Sequence, residues 1–533
     1  MAIITLTPSC LGRSLLGLAL LSAPCYSEQT KDWDISPSLQ LGLDYSDNLD
    51  LAPSDKTETF IGTLAPGISI SRQGRYLKLG ADYRLSLLDY SSNTRSDSYF
   101  HNLNAFADAE LIEDHLFVDA QAVASQQLID NRSTGIIDPK LAPDAFTNTL
   151  TFAFTPTWRQ RIGDYTNMTL SASYDAVIYQ TNAEDSEGFS YNLGLDTRGN
   201  PNRIYWTLET RQDSAKSSTT NNTLNKNDFA QMQLGYRHSR LLDLHIGGGY
   251  SDSHIDNPSD SDISSGSTFW SAGLTLSPMP QTSLNLNYND QIQGSSFWSG
   301  GLTWSPNPRI SLDLNYSDQI QSGNSSGVVF THRLKRSTLS LSVQQSLSSV
   351  RQQQLELGLV VRVCPGGDAN SPECRFIAIN SPEFANTNPN DFVNFGVSLL
   401  PSLDEGRFIS QALNANYSYR LRKSNVSLGL TANRRKFQTL SKRIEDDFGL
   451  NLAWALQLSS RSSMTISYDG SVLAPDTTTS ERDYRQGLNL GFSRTLSADT
   501  SLSTALRFNK LHSNDTSRAY EEYGAGVSLN HTF

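Results

Sequence analysis

Apolar and polar side chains alternate along most of this chain. LQLGLDY puts Leu39, Leu41, Leu43 and Tyr45 on one face, and LKLGADYRLSL does the same with Leu77, Leu79, Ala81, Tyr83, Leu85 and Leu87. The period recurs in TLSLSV (Leu339, Leu341, Val343), VSLGLTA (Val426, Leu428, Leu430) and LNLGF (Leu488, Leu490, Phe492), while Ser, Asn, Gln, Asp, Gly and Thr occupy the other face. Successive side chains of a strand point to opposite sides, so each segment has one oily and one wet face. No amphipathic helix competes with that pattern.

One unit is written twice. Residues 266–293 read GSTFWSAGLTLSPMPQTSLNLNYNDQIQ and residues 294–321 read GSSFWSGGLTWSPNPRISLDLNYSDQIQ, an offset of 294 − 266 = 28 positions. Each copy holds two alternating segments joined by a Pro-containing turn, SPMP or SPNP, and is therefore a β-hairpin. Adding a hairpin lengthens an antiparallel barrel without changing strand direction or closure. A solenoid would carry its period along the whole chain, and here only the alternation is shared.

Short connections (SRQG at 71–74, RGNPN at 198–202, RKSN at 422–425, LSAD at 496–499) alternate with long polar ones at 213–226, 252–266 and 471–481. Outer-membrane barrels have this asymmetry, with short periplasmic turns and longer outer loops. The reading is an all-β, transmembrane, antiparallel up-and-down barrel of about 24 strands, within a range of about 22 to 26, because bacterial barrels take even numbers. Even parity is kept if residues 391–401 belong to the long cysteine-bearing loop, at 364–390 and beyond, rather than to a spanning strand, and one more weak strand between Val328 and Val363 is dropped.

The ends fit the same picture. Arg13, then LLGLALL, then SAPCYS form a secretory signal with cleavage expected after Ser27, leaving residues 28–533 as one barrel domain. The chain closes on YGAGVSLNHTF, where Phe533 lies in line with His531, Leu529, Val527, Ala525 and Tyr523; Phe533, Leu529, Val527 and Tyr523 are the expected signal to the barrel-assembly machinery.

Composition alters this little. A net charge of −12 and 37% hydrophobic residues suit a soluble globule on average, but even alternation hides a lipid-facing surface inside a polar mean. After residue 27 no run of about 18 apolar residues remains, which excludes helical spans. So acidic a chain also makes nucleic acid a poor partner. Beyond the signal, Cys364 and Cys374 share a Pro/Gly-rich loop, read as one local disulfide since no His or second Cys pair lies near to complete a metal site.

Catalytic chemistry is sparse in the sequence. The eight His are scattered. His238 and His245 flank the expected turn HSRLLDLH and could meet at a strand end, although spacing alone makes ordinary rim residues the simpler reading. Glu110, Glu113 and Asp114 in AELIEDH, and the acidic run at 256–262, read as solvated connections without Ca²⁺-loop spacing. Arg84, Arg203, Arg237 and Arg420 belong on the wet face, since a charge at mid-membrane costs roughly 2–4 kcal/mol. Pairing with lumenal Asp82, Asp313 or Asp469 is the plain role for such arginines; a field selecting anionic polysaccharide is the sharper one. Trp270, Tyr288, Trp298, Trp304 and Tyr316 are the expected aromatic girdle, with Phe269 and Phe297 beside them in its outer part. No cofactor or metal is indicated.

Over residues 36–179, SPSLQLGLDYSDNLDL, TETFIGTLAPGISIS, GRYLKLGADYRLSLLDYSSNT, HNLNAFADAELIEDHLFVDAQAVASQQ and TFAFTPTWRQRIGDYTNMTLSASYDAVIY resemble the outer-membrane β-barrel family of PEP-CTERM/exosortase systems, with fainter echoes at RQQQLELGLVVRV and YRLRKSNVSLGLTANRRKF. The resemblance implies the outer membrane and an exopolysaccharide or protein-sorting setting; that family has no defined molecular activity to carry over. The expectation is a non-enzymatic channel, export accessory or scaffold, with loops, the cysteine loop as the candidate, folded in to limit leakage, in contact with lipid, lipopolysaccharide and exopolysaccharide or export components. The alternative is an adhesive surface barrel that binds polysaccharide through its long outer loops.

Overall fold

A computed structural model describes residues 33–533 apart from 93–94, 129–137, 181–184, 198–202, 218–223, 256–262, 292–295, 318–324, 350–359, 365–374, 379–391, 395–406, 438–442 and 475–480. Twenty-four strands form one sheet in which every neighbour is antiparallel. Sequence neighbours pair throughout, and the first strand (Trp33–Ser46) pairs with the last (Tyr520–Thr532), Leu41 opposite Leu529 and Leu43 opposite Val527. The sheet is a closed barrel, and closure removes every exposed edge.

Register carries the alternation from strand to strand. Leu39, Leu41 and Leu43 stand opposite Pro66, Leu64 and Gly62, and Leu428 and Leu430 opposite Leu452 and Leu450, so oily positions share the outer face around the wall. Leu41, Leu43, Leu64, Leu452, Leu488 and Leu506 are accordingly exposed. The strand Ile444–Ser459 shows the height of the apolar band: Asp446 faces out and pairs with Arg434, while Phe448, Leu450, Leu452, Trp454, Leu456 and Leu458 continue the same face down to the turn. Ten residue steps at about 3.3 Å, tilted by about 40°, make a band about 25 Å tall, the hydrocarbon thickness of an outer-membrane barrel wall.

Above that band the strands continue. The described ends of the segments read from sequence as long loops at 213–226, 252–266 and 471–481 are ladder, at 213–217, 224–226, 252–255, 263–266 and 471–474: Ile204–Ser217 pairs with Leu224–Arg237, Leu242–Ile255 with Ile263–Met279, and Ser462–Ala474 with Asp483–Thr495. Once the chain leaves lipid, both faces can be polar and hydrogen bonding goes on without an apolar signal to mark it.

The duplicated units are adjacent hairpins, Ile263–Met279 with Thr282–Gln291 and Phe297–Asn307 with Ile310–Ser317. Both carry a register shift at the same place, between Leu276 and Met279 and between Trp304 and Asn307. Parity resolves as expected at the cysteine region: Ser337–Ser349 pairs directly with Arg407–Arg420. Between them, Val360–Cys364, Arg375–Ala378 and Phe392–Asn394 form a separate three-stranded sheet at the loop end.

Inside, bulky side chains lie over glycines on neighbouring strands. Tyr205 covers Gly235, where any Cβ would run into its ring, and Phe106 covers Gly80 in the same way.

Candidate functional site

The most extensive buried construction lies inside the loop-end mouth, against the junction of first and last strands. Ile61, Leu88, Tyr90 and Phe100 point inward near the tops of the second, third and fourth strands, an apolar patch facing an aqueous lumen. Two connections fold in to cover it. Leu49, from the first loop, and Leu141, from the connection after the fifth strand, complete the cluster, and both are buried.

Polar contacts hold each connection in place. Asn48 bridges the Ala52 carbonyl at 2.9 Å and the Glu521 carbonyl at 3.0 Å, and the Asp47 carboxylate accepts from the Tyr523 amide at 2.7 Å. The first loop is thereby tied to the last strand. In the second connection the Tyr90 hydroxyl donates to the Lys140 carbonyl at 2.7 Å, Arg95 donates to the Leu141 carbonyl, and Arg95 pairs with Asp50 at 3.3 Å. Lys140 Nζ reaches Asp44 on the first strand at 2.7 Å.

Arg507 is the centre of the charge network. Its guanidinium lies 3.1 Å from Glu522, 3.5 Å from Asp138 and 3.6 Å from Asp44. Glu522, fully buried, also accepts from Ser46 at 3.0 Å and Asn509 at 2.7 Å. Gly524 and Gly526, inward on the last strand, leave the space that Arg507 and Asp44 fill. Arg507 and Lys140 together meet three carboxylates, so a connection remote in sequence is fastened across the closing strands by half-buried ion pairs. A second buried set lies under the strands after residue 407: Arg435 pairs with Glu445 at 3.2 Å, Phe408 and Phe437 pack at 5.2 Å, and Arg443, also paired with Glu445, lies 5.1 Å over Phe437.

The aromatic residues divide by parity. Trp270, Tyr288, Trp298 and Tyr316 face outward, with centroids 5.5 Å apart for Trp270–Tyr288 and 4.7 Å for Tyr288–Trp298. The Trp270 indole donates to Asp290 at 3.1 Å. Trp304 faces outward at the other, short-turn end. Phe269 does not belong with them: it points inward and stacks on Phe229 at 6.1 Å, because neighbours in a strand take opposite faces. The Phe297 side chain lies outside the described residues.

His238 and His245 do not meet. His238 is exposed at the turn beside Tyr236, whereas His245 faces inward on the next strand and hydrogen-bonds Asn287. Glu113 pairs with Arg75 at 2.8 Å, and Glu110 accepts from the Asp114 amide, so the acidic turn is satisfied locally. Arg84 faces inward and donates to Gln40 at 3.1 Å, with Asp82 on the same face. Arg237 pairs with Asp243 at 3.5 Å; Asp313 and Asp469 also face inward. Tyr523, Val527, Leu529 and His531 share the outer face of the last strand, and the Phe533 amide donates to the Pro37 carbonyl at 2.8 Å. Cys374, and with it the disulfide, lies outside the described residues, as do the expected signal segment and the acidic run at 256–262. Among the described residues no group of three or more His, Cys, Asp or Glu could hold a metal ion.

No family model and no curated protein matches the chain. Solved structures are similar to it at low identity. The FrpB iron transporter of Neisseria meningitidis (F3-3 variant) is 8% identical, with 95% of this chain and 82% of that one covered and a TM-score of 0.46. The siderophore receptor PirA of Pseudomonas aeruginosa is 10% identical over 94% of this chain and 80% of its own, with a TM-score of 0.39. For BauA, the ferric preacinetobactin receptor of Acinetobacter baumannii, the values are 10%, 94%, 81% and 0.44. At such identities and TM-scores these likenesses carry nothing about cargo.

Inward-folded loops are expected from the sequence, but nothing there singles out residues 138–145 as one of them. Lys140 and Asp44 are 96 positions apart, and neither lies in a motif.

Proposed function

We propose that this chain is an integral outer-membrane barrel, non-enzymatic, that works as a channel or export accessory whose loop-end mouth is narrowed by its own connections. One observation supports it above all: a closed wall with an apolar band outside and a polar lumen, into whose mouth residues 138–145 are fastened by Lys140–Asp44 and Arg507–Asp138. A barrel this wide needs internal structure if it is not to leak. Its resemblance to the PEP-CTERM-associated barrels supports an exopolysaccharide setting, with lipid, lipopolysaccharide and the assembly machinery as its contacts. Outward Trp and Tyr near the ends of the apolar band suit an interfacial girdle.

Purified protein in planar bilayers tests this. Lys140→Ala with Leu141→Ser removes the ionic and the apolar fastening of the same segment, and the double variant should conduct severalfold more than the parent. Absence of current from both proteins, each verified as folded by heat-dependent gel mobility, removes the channel. In the cell, deleting the gene should alter the amount of secreted polysaccharide; unchanged secretion would separate the barrel from that setting.

A further inference from the structure

The short-turn end carries a charge pattern that the network at the other mouth does not explain. Four successive turns, at 307–310, 333–337, 420–424 and 459–462, contain Arg309, Arg333, Lys335, Arg336, Arg420, Arg422, Lys423 and Arg461, eight cations without one carboxylate, in a chain of net charge −12. Main-chain hydrogen bonds fix these turns side by side: the Arg333 amide donates to the Arg309 carbonyl at 2.7 Å, Arg420 to Arg336 at 2.7 Å and Gln457 to Lys423 at 2.8 Å. Turns two strands apart are spaced by about 10 Å, close to the Debye length of about 8 Å at physiological salt, so their fields overlap. Arg309, Lys335, Arg336, Arg422, Lys423 and Arg461 are exposed, and no ion pair of the described residues reaches any of them. Surface cations are commonly neutralised by interspersed carboxylates; among the described residues no carboxylate pairs with these six, which leaves their charge open to an external anion.

The wall above this arc differs from the charged seam. Between strands Thr282–Gln291 and Arg407–Arg420 the inward face presents chiefly amides and hydroxyls, among them Asn285, Asn287, Asn315, Ser342, Asn414 and Asn416, with the exposed Val329 opposite Asp313, which is the single carboxylate there among the described residues. Arg333 and Arg420 have inward parity, at the lip where the arc meets this wall. A lipid headgroup could reach the outer side of the turns but not that lip. An acidic protein could dock on the rim but would leave the amide wall unused.

We infer that the short-turn mouth is a capture site for an anionic, hydroxyl-rich polymer, a carboxylated polysaccharide, whose carboxylates meet the arginine and lysine arc and whose hydroxyls hydrogen-bond the amide wall. With short turns on the periplasmic side, the polymer is taken from the periplasm. The polymer class deepens the channel reading and rests on it for the passage that follows capture; capture itself is read by binding and stands or falls without current.

The test uses the full barrel in uncharged phosphatidylcholine nanodiscs with fluorescent polygalacturonate, and a variant with glutamine at the six exposed positions, R309Q/K335Q/R336Q/R422Q/K423Q/R461Q. Heat-dependent gel mobility confirms that each protein is folded. The parent should bind polygalacturonate with an affinity that falls as salt rises, the variant at least tenfold more weakly, and neutral dextran should not bind. Unchanged affinity in the variant overturns the site. Equal binding of polyglutamate overturns the sugar assignment and returns the arc to an acidic protein, and loss of capture when phosphatidylglycerol is added to the discs assigns the cations to lipid. Capture without current leaves the site in place and removes only the channel.

Discussion

At the scale of single residues the barrel is held by a few buried charges in tight company. Arg507 meets Asp44, Asp138 and Glu522, and Glu522 is fully buried. Removing one partner of such a pair leaves an uncompensated charge and costs about 3–5 kcal/mol, whereas replacing both by apolar groups of similar size is often near neutral. Arg507→Met should therefore lower the urea midpoint in lipid vesicles by an amount equivalent to about 3–5 kcal/mol, and Arg507→Met with Glu522→Met should recover much of it; additive losses would show that the two side chains do not act together. Close packing makes a second residue-scale case. Gly235→Ala places a methyl in the Tyr205 ring, an overpacking of about 1–3 kcal/mol, and Tyr205→Ser in the same protein should relieve it. Neither feature could be read from sequence, since a lone Gly or Arg says nothing about which strand brings its neighbour. Phe269 is the opposite case: period two alone turns it inward, away from Trp270, although the two aromatics are adjacent and read as one girdle.

At the scale of elements the hairpin is the unit that can be gained or lost. Alternation, turn parity and the repeat were all legible because lipid outside and water inside impose period two on every spanning segment. Strand extensions beyond the bilayer were not, because nothing oily marks a ladder standing in water on both faces. The duplication allows a direct check. Deleting residues 294–321 removes the hairpin Phe297–Asn307 with Ile310–Ser317 and brings Thr282–Gln291 against Ser325–Arg333, in the register that Ile310–Ser317 now uses. Leu284 takes the place of Leu312 opposite Phe330, and oily still meets oily. The 22-strand product should insert, retain its heat-dependent mobility and have a narrower lumen. Deleting residues 308–321 alone removes a single strand, leaves an odd number and forces two neighbours to run parallel; that variant should aggregate during refolding. If both deletions behave alike, the hairpin is not the building unit.

At the scale of the molecule the difficult step is closure, because the first and last strands are separated by nearly the whole chain and no local turn sets their register. Nine positions pair across that seam, from Ser38–Thr532 to Ser46–Gly524, against fourteen between the first and second strands. The inward connections and the ions on Arg507 lie over this junction: Asp44 and Ser46 come from the first strand, Glu522 from the last, and Lys140 and Asp138 from a connection that reaches both. Narrowing the mouth and locking the seam are thus done by the same side chains. A covalent test follows from the register. In a Cys364→Ser/Cys374→Ser background, Leu43→Cys with Val527→Cys puts two thiols opposite each other on the lipid face. On oxidation they should join the ends of the folded barrel into a ring, and the heated, unreduced protein should run ahead of its linear, reduced form. Adding Arg507→Met should slow that oxidation by loosening the junction. A pair that never cross-links in the folded protein would mean that the wall is open between its first and last strands, and the lumen, the narrowed mouth and the basic arc would lose their common frame.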